Sequence, residues 1–186
     1  INFGALTLSL LTAAEVTSAT AASLAAIVQT VVGAGGSIVM AESDPLLTNA
    51  IFLSATLGAI SPRATIAYGE PITLAGFHIA ASETDHWVEN LTGFGGNGAH
   101  LGLSIVHAHA QQGHPLLPVI QGAEPSQRGI IPADDIDLFL SGNSAADVAD
   151  LLRIIVATAQ SDRLTASNAQ GFVDFQLTRG LLGLTT

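Results

Sequence analysis

Residues 18–41 read SATAASLAAIVQTVVGAGGSIVMA, and this stretch decides the fold. Leu24, Ile27, Val28 and Val31 fall at i, i+3, i+4 and i+7, one apolar stripe on a helix over residues 21–32, with Ser18 or Thr20 as its cap. Gly33, Gly35 and Gly36 then end the helix. The next five residues, Ser37 to Ala41, read as a buried strand, a short apolar run bounded by turn residues.

The alternation continues along the chain. Asp44 and Pro45 open a second helix, roughly residues 46–57, stopped by Gly58. Residues 65–68 and 77–80 read as short strands around the Gly69-Glu70-Pro71 turn. Thr84 starts a helix that places Trp87, Leu91 and Phe94 on one face, and Gly95, Gly96 and Gly98 break it before a strand over 100–106. Pro115 and Pro118 bracket a strand over 116–121, which puts it at an edge or at a strand end. Residues 135–140 read as a strand entering the Ser141-Gly142-Asn143 turn. A helix over 145–159 follows and buries Val148, Leu151, Leu152 and Ile155. Residues 172–184 follow no clear period. Strands alternating with helices predict an α/β fold with a mainly parallel sheet flanked by helices, Rossmann-like and three-layered, as one domain over residues 1–186.

Composition narrows the function. Fifteen Asp and Glu oppose five Lys and Arg, for a net charge of −10, and all five cations are arginines. An acidic chain without a basic patch is a poor partner for nucleic acid or an anionic membrane. Hydrophobic content of 48% argues against intrinsic disorder. The absence of cysteine excludes disulfides, zinc–thiolate sites, iron–sulfur clusters and a thiol nucleophile. Residues 6–11 are apolar but too short to span a bilayer, and polar residues interrupt the Ala-rich run over 13–34. No signal peptide is evident, so a cytoplasmic location is expected. The chain begins at Ile1, which suggests a processed protein or a piece of a longer one.

All six histidines lie between His78 and His114, a concentration that suggests a shared site. His86 is flanked by Asp85 and by Glu89 at i+3, and a carboxylate beside an imidazole fixes its tautomer and raises its basicity. These three are the candidate acid–base residues; the alternative is that Asp85 merely favours the helix dipole. His107 and His109, two apart, point to one face if they lie on a strand. With His114 from the following Gly113-His114-Pro115 turn they are the candidate metal ligands, or else they mark a solvated strand exit. Arg179, beside Gln176 and Thr178, suits bidentate binding of a carboxylate; a salt bridge to one of the acids is the alternative. Glu42 stands at the end of a strand, where open α/β sheets place ligands. The 33–36 glycines precede a strand instead of a helix, a weak match to a phosphate loop, and neither a Gly-x-Ser-x-Gly elbow nor a Walker sequence occurs.

Four stretches carry a family resemblance: GGSIVMAE at 35–42, TDHWVENLTG at 84–93, QGHPLLP at 112–118 and DFQLTRGLLG at 174–183. From about Gly33 onward the chain resembles the C-terminal part of the altronate dehydratase/galactarate dehydratase family of sugar-acid hydro-lyases. The resemblance implies dehydration of a sugar acid to a 2-keto-3-deoxy acid, dependent on a divalent metal, typically iron(II). It implies a longer parent with a small N-terminal β domain and an intervening region that also supplies active-site groups. The expected partners are therefore the sugar acid, that N-terminal region or a partner chain, and further copies in a homo-oligomer. Within this reading His86 with Asp85 or Glu89 serves as base or acid, and Arg179, Gln176 and Glu42 hold substrate. The alternative is a non-catalytic module that binds a sugar acid or assembles with a catalytic partner.

Overall fold

The computed structural model describes residues 2–82 and 84–177. Its strands are β1 (Thr7–Thr12), β2 (Ser37–Ala41), β3 (Gly76–Ala80), β4 (Leu101–Val106), β5 (Val119–Ala123) and β6 (Leu138–Phe139). Its helices are α1 (Ser18–Gly33), α2 (Ala50–Leu57), α3 (Trp87–Gly96), α4 (Ser144–Ala159) and the single turn α5 (Ala166–Ala169). The six strands form one sheet in the order β3-β2-β1-β4-β5-β6, every pair parallel. The chain winds outward from β1 to β3, then crosses back to lay β4 on the other side of β1. That reversal makes the β1/β4 boundary the topological switch point.

Strand alternation sorts the two faces. Leu8, Leu10, Ile38, Met40, Phe77 and Leu103 face one way and pack under Leu24, Ile27 and Val28 of α1, Phe52 of α2 and Leu151 and Ile155 of α4. Leu11, Val39 and Ala80 face the other way, against Leu91 and Phe94 of α3. The fold is thus a three-layer, Rossmann-like α/β fold, as the alternation predicts. No helix among the described residues is long and apolar enough to cross a membrane.

Several boundaries differ from the sequence expectation, each for a local reason. The apolar run at 6–11 is the central strand: β1 has neighbours on both edges and covered faces, so it shows no alternation to betray it. The cap of α1 is Thr17, whose hydroxyl accepts the Thr20 N–H. The second helix is interrupted: Pro45–Thr48 forms a 3-10 turn, and Asn49 starts α2 afresh by accepting the Ile51 and Phe52 N–H groups. Residues 65–68 make only one bridge, Ile66 to Ala80, because Glu70 takes both the N–H and the carbonyl of Ala67 for its turn. β5 is an interior strand; Pro118 sits just before its first ladder residue, where a missing N–H does no harm.

Candidate functional site

The strand carboxyl ends carry the polar residues. A cleft of about 320 Å³ opens beside the switch point, lined by Thr12 at the end of β1, Asp44 after β2, Asp85, Trp87 and Asn90 around the start of α3, and Gln111 after β4. Doubly wound sheets bind ligands at this place.

Two carboxylates pin the β1–α1 loop at the rim. Asp44, buried, accepts the Thr12 hydroxyl at 2.6 Å, the Thr12 N–H at 2.7 Å and the Leu46 N–H at 2.9 Å. Burial pushes its carboxyl above the usual range against the pull of those bonds. Glu124, at the end of β5, sits on the N-terminus of α1, and one oxygen takes the Thr17 N–H, the Thr17 hydroxyl and the Thr20 hydroxyl, all at 2.7 Å. Burial works to raise its pKa, but the Thr20 and Thr17 hydrogen bonds, helped by nearby His107, hold it below the ordinary glutamate value. A dinucleotide-binding fold places its pyrophosphate at this helix terminus. Here the chain's own Glu124 carboxylate takes the donors at that terminus.

The histidines separate into two groups. Three serve the backbone: His78 Nε2 bonds the Leu74 carbonyl at 2.8 Å, His100 Nδ1 accepts the Thr7 N–H at 2.9 Å, and His114 Nδ1 accepts the Leu116 N–H at 3.2 Å. His114 is buried, its Nε2 lies 3.2 Å from the Thr92 hydroxyl, and burial lowers its pKa. The other three, His86, His107 and His109, are exposed on loops or caps at the strand carboxyl ends.

His107 and His109 do not share a strand face. β4 ends at Val106, and His107-Ala108-His109 is a tight turn closed by the His109 N–H on the His107 carbonyl at 2.8 Å, with Ala108 at φ +64°. Strand alternation therefore does not apply to them. Buried Gln127 accepts the Ala108 N–H at 2.9 Å, and Gln121 clamps Gln111 through both its N–H and its carbonyl, at 2.8 and 2.6 Å. His114 has both ring nitrogens engaged. Among the described residues no three His, Asp or Glu side chains come together to hold a metal ion. His107, His109 and His114 thus form no complete ligand set by themselves.

His86 is the N-cap residue of α3, yet its ring makes no capping hydrogen bond; the Thr84 hydroxyl takes the His86 N–H instead. The exposed imidazole stands within electrostatic reach of Asp174. Asp174 is held below the usual carboxylate range by hydrogen bonds from the Gln176 side chain (2.7 Å) and the Phe175 N–H, with His86 adding to the effect. Asp85 lines the cleft, Glu89 lies in the first turn of α3, and exposed Glu42 accepts the Ser82 N–H at 3.1 Å and so ties the end of β2 to the approach to α3. Arg179 lies outside the described residues.

What brings residues 172–177 to α3 is the Gly113 turn. Its N–H bonds the Phe172 carbonyl, its carbonyl accepts the Asp174 N–H, and a Cβ at Gly113 would collide with Ser167. Phe175 packs on the His114 ring at 5.3 Å between centroids, and the Trp87 indole donates to the Gln112 carbonyl at 2.9 Å. Asp174 is the residue that spacing could not relate to His86, because they are 88 positions apart in the sequence and this turn closes the gap. No protein-family model matches the chain, and no curated protein matches it.

Proposed function

We propose that this chain is a domain of a sugar-acid hydro-lyase of the altronate/galactarate type, located in the cytoplasm. The observation that supports the reading is that the Gly113 turn ties together the two stretches on which the resemblance rests most: Trp87 of TDHW donates to the Gln112 carbonyl, and Gly113 bonds Phe172 and Asp174 at the start of DFQLTRG.

The chemistry needs a base for the proton on C2 of the acid, an acid for the C3 hydroxyl, and a cation for the carboxylate. His86 takes the C2 proton, and Asp174 stabilises the imidazolium that results. The C–H electron pair becomes the C2–C3 double bond, and the C3–O bond breaks. Asp85 or Glu89 supplies the proton with which hydroxide leaves as water. The enol then tautomerises to the 2-keto-3-deoxy acid. Arg179 and Gln176 hold the substrate carboxylate, and Glu42 accepts from a substrate hydroxyl. The described residues offer no complete set for the divalent metal, iron(II), that the resemblance implies, so no step here runs through it. In this reading its ligands come from the N-terminal region of the protein or from a partner chain of a homo-oligomer.

The same missing ligand set favours a second reading, a non-catalytic sugar-acid-binding or subunit-assembly module. The deciding assay follows 2-keto-3-deoxy acid released from altronate or galactarate by the full-length protein carrying this chain. The hydro-lyase reading expects product. It also expects Arg179→Lys to raise KM about tenfold or more, with an unchanged melting temperature, because Lys keeps the charge but loses the planar fork. Binding without product supports the second reading; neither binding nor product overturns both.

A further inference from the structure

We propose that the cleft beside the switch point receives the uncharged, hydroxylated end of the substrate, so that this protein selects an aldonate, with one carboxylate, over an aldarate, with two. The inference rests on the sugar-acid reading above and adds to it which acid is preferred and which residue decides.

The size comes first. At about 320 Å³ the cleft lies at the small end of ligand pockets, enough for the tail of a six-carbon chain. Its chemistry is that of a hydroxyl reader. With Glu89 taking the acid role in the reaction, Asp85 is free to act here as a carboxylate: it forms no ion pair among the described residues, Ser43 and Gln111 add a hydroxyl and an amide, and Trp87 presents an indole beside them. His86 is not itself part of the cleft lining, but its two chain neighbours, Asp85 and Trp87, are; the proposal therefore sets the reacting carbons at His86, at the mouth of the cleft, and the tail inside it.

Charge then sets the preference. Among the described residues no cation lines the cleft. The four described arginines are engaged elsewhere: Arg63 with the Ala75 carbonyl, Arg128 over the Phe139 ring, Arg153 with Asp150 and Arg163 with Asp137. A second carboxylate entering the cleft meets Asp85 and Asp44 in a protein of net charge −10, with no cation among the described lining residues to neutralise it. A terminal CH₂OH meets acceptors that it can satisfy.

Trp87 is the only tryptophan in the chain, so its fluorescence reports the cleft directly. The test titrates the chain with galactitol, altronate and galactarate. Galactitol and altronate should both give a saturating change, with galactarate about tenfold weaker or worse. Asp85→Asn, checked for folding by circular dichroism, should bring galactarate to within about threefold of altronate. No saturable change with galactitol, or equal binding of altronate and galactarate, overturns the proposal. Galactitol has no carboxylate and cannot undergo the reaction. A silent cleft in a protein that turns over sugar acid therefore refutes this inference alone, and a responsive cleft without turnover refutes only the hydro-lyase reading.

Discussion

Ala108 holds φ +64°, a left-handed conformation that costs an L-residue about 1–2 kcal/mol. It persists because buried Gln127 takes its N–H and Gln121 fixes Gln111 beyond it. Replacing it separates backbone strain from packing. Ala108→Gly should leave stability unchanged or raise it by up to about 1 kcal/mol, as relief of strain offsets the greater freedom of the unfolded chain. Ala108→Val should lose about 1–3 kcal/mol, because a β-branched side chain tolerates positive φ poorly. Urea unfolding of the three proteins checks this; equal stabilities would mean that the turn is unstrained. The same residue shows why His107 and His109 were misplaced by spacing: nothing in His-Ala-His signals a left-handed alanine, which only the two glutamines, more than ten residues downstream, impose. The place of His86 at a helix start was legible, because Thr84 and the acids around it are local signals of a helix N-terminus. The electrostatic partner of His86, Asp174, was not, because that proximity is made by tertiary structure.

At the scale of elements, α1 and β2 could be read directly, since a 3.6-residue stripe, a glycine run and a buried pentapeptide leave little choice. The N-terminal anchor of α1 comes from a distant element. Glu124 gathers three donors there, and its folded pKa lies below its unfolded one. Such a carboxylate contributes stability that is fully present above the unfolded pKa and is lost as pH falls through the folded pKa. Glu124→Gln keeps the acceptor oxygen but loses the charge. It should therefore destabilise the chain by about 1–2 kcal/mol at pH 7, with the difference fading below about pH 4. Denaturant melts at pH 7 and pH 3.5 make the comparison; an equal deficit at both would deny that the ionised form matters. α2 illustrates the opposite limit of sequence reading. Its helix signal was correct, but the break at Asn49 was hidden in an apolar run that suits both a 3-10 turn and an α-helix.

At the scale of the whole molecule, the strand order β3-β2-β1-β4-β5-β6 fixes where chemistry can occur without fixing what it is. The parallel α/β class was legible from alternation. The order was not, because the central strand carries no pattern of its own and the order depends on which edge each crossover returns to. What the order does is bring the ends of β1, β2 and β4 and the start of α3 to one rim. Glu124 occupies the N-terminus of α1, and the Gly113 turn brings the segment with Asp174 to the side of the sheet where α3 starts. The most direct measurement of whether this rim is catalytic is steady-state dehydration by the full-length protein with His86→Asn, alongside its melting temperature. An exposed imidazole that makes no structural hydrogen bond can be removed without harm to the fold, and a general base contributes about 10²–10⁴ in rate. The expected result is therefore kcat lowered by about two to four orders of magnitude, with KM and melting temperature unchanged. Turnover of His86→Asn at the wild-type rate would contradict it and move the reaction away from this rim.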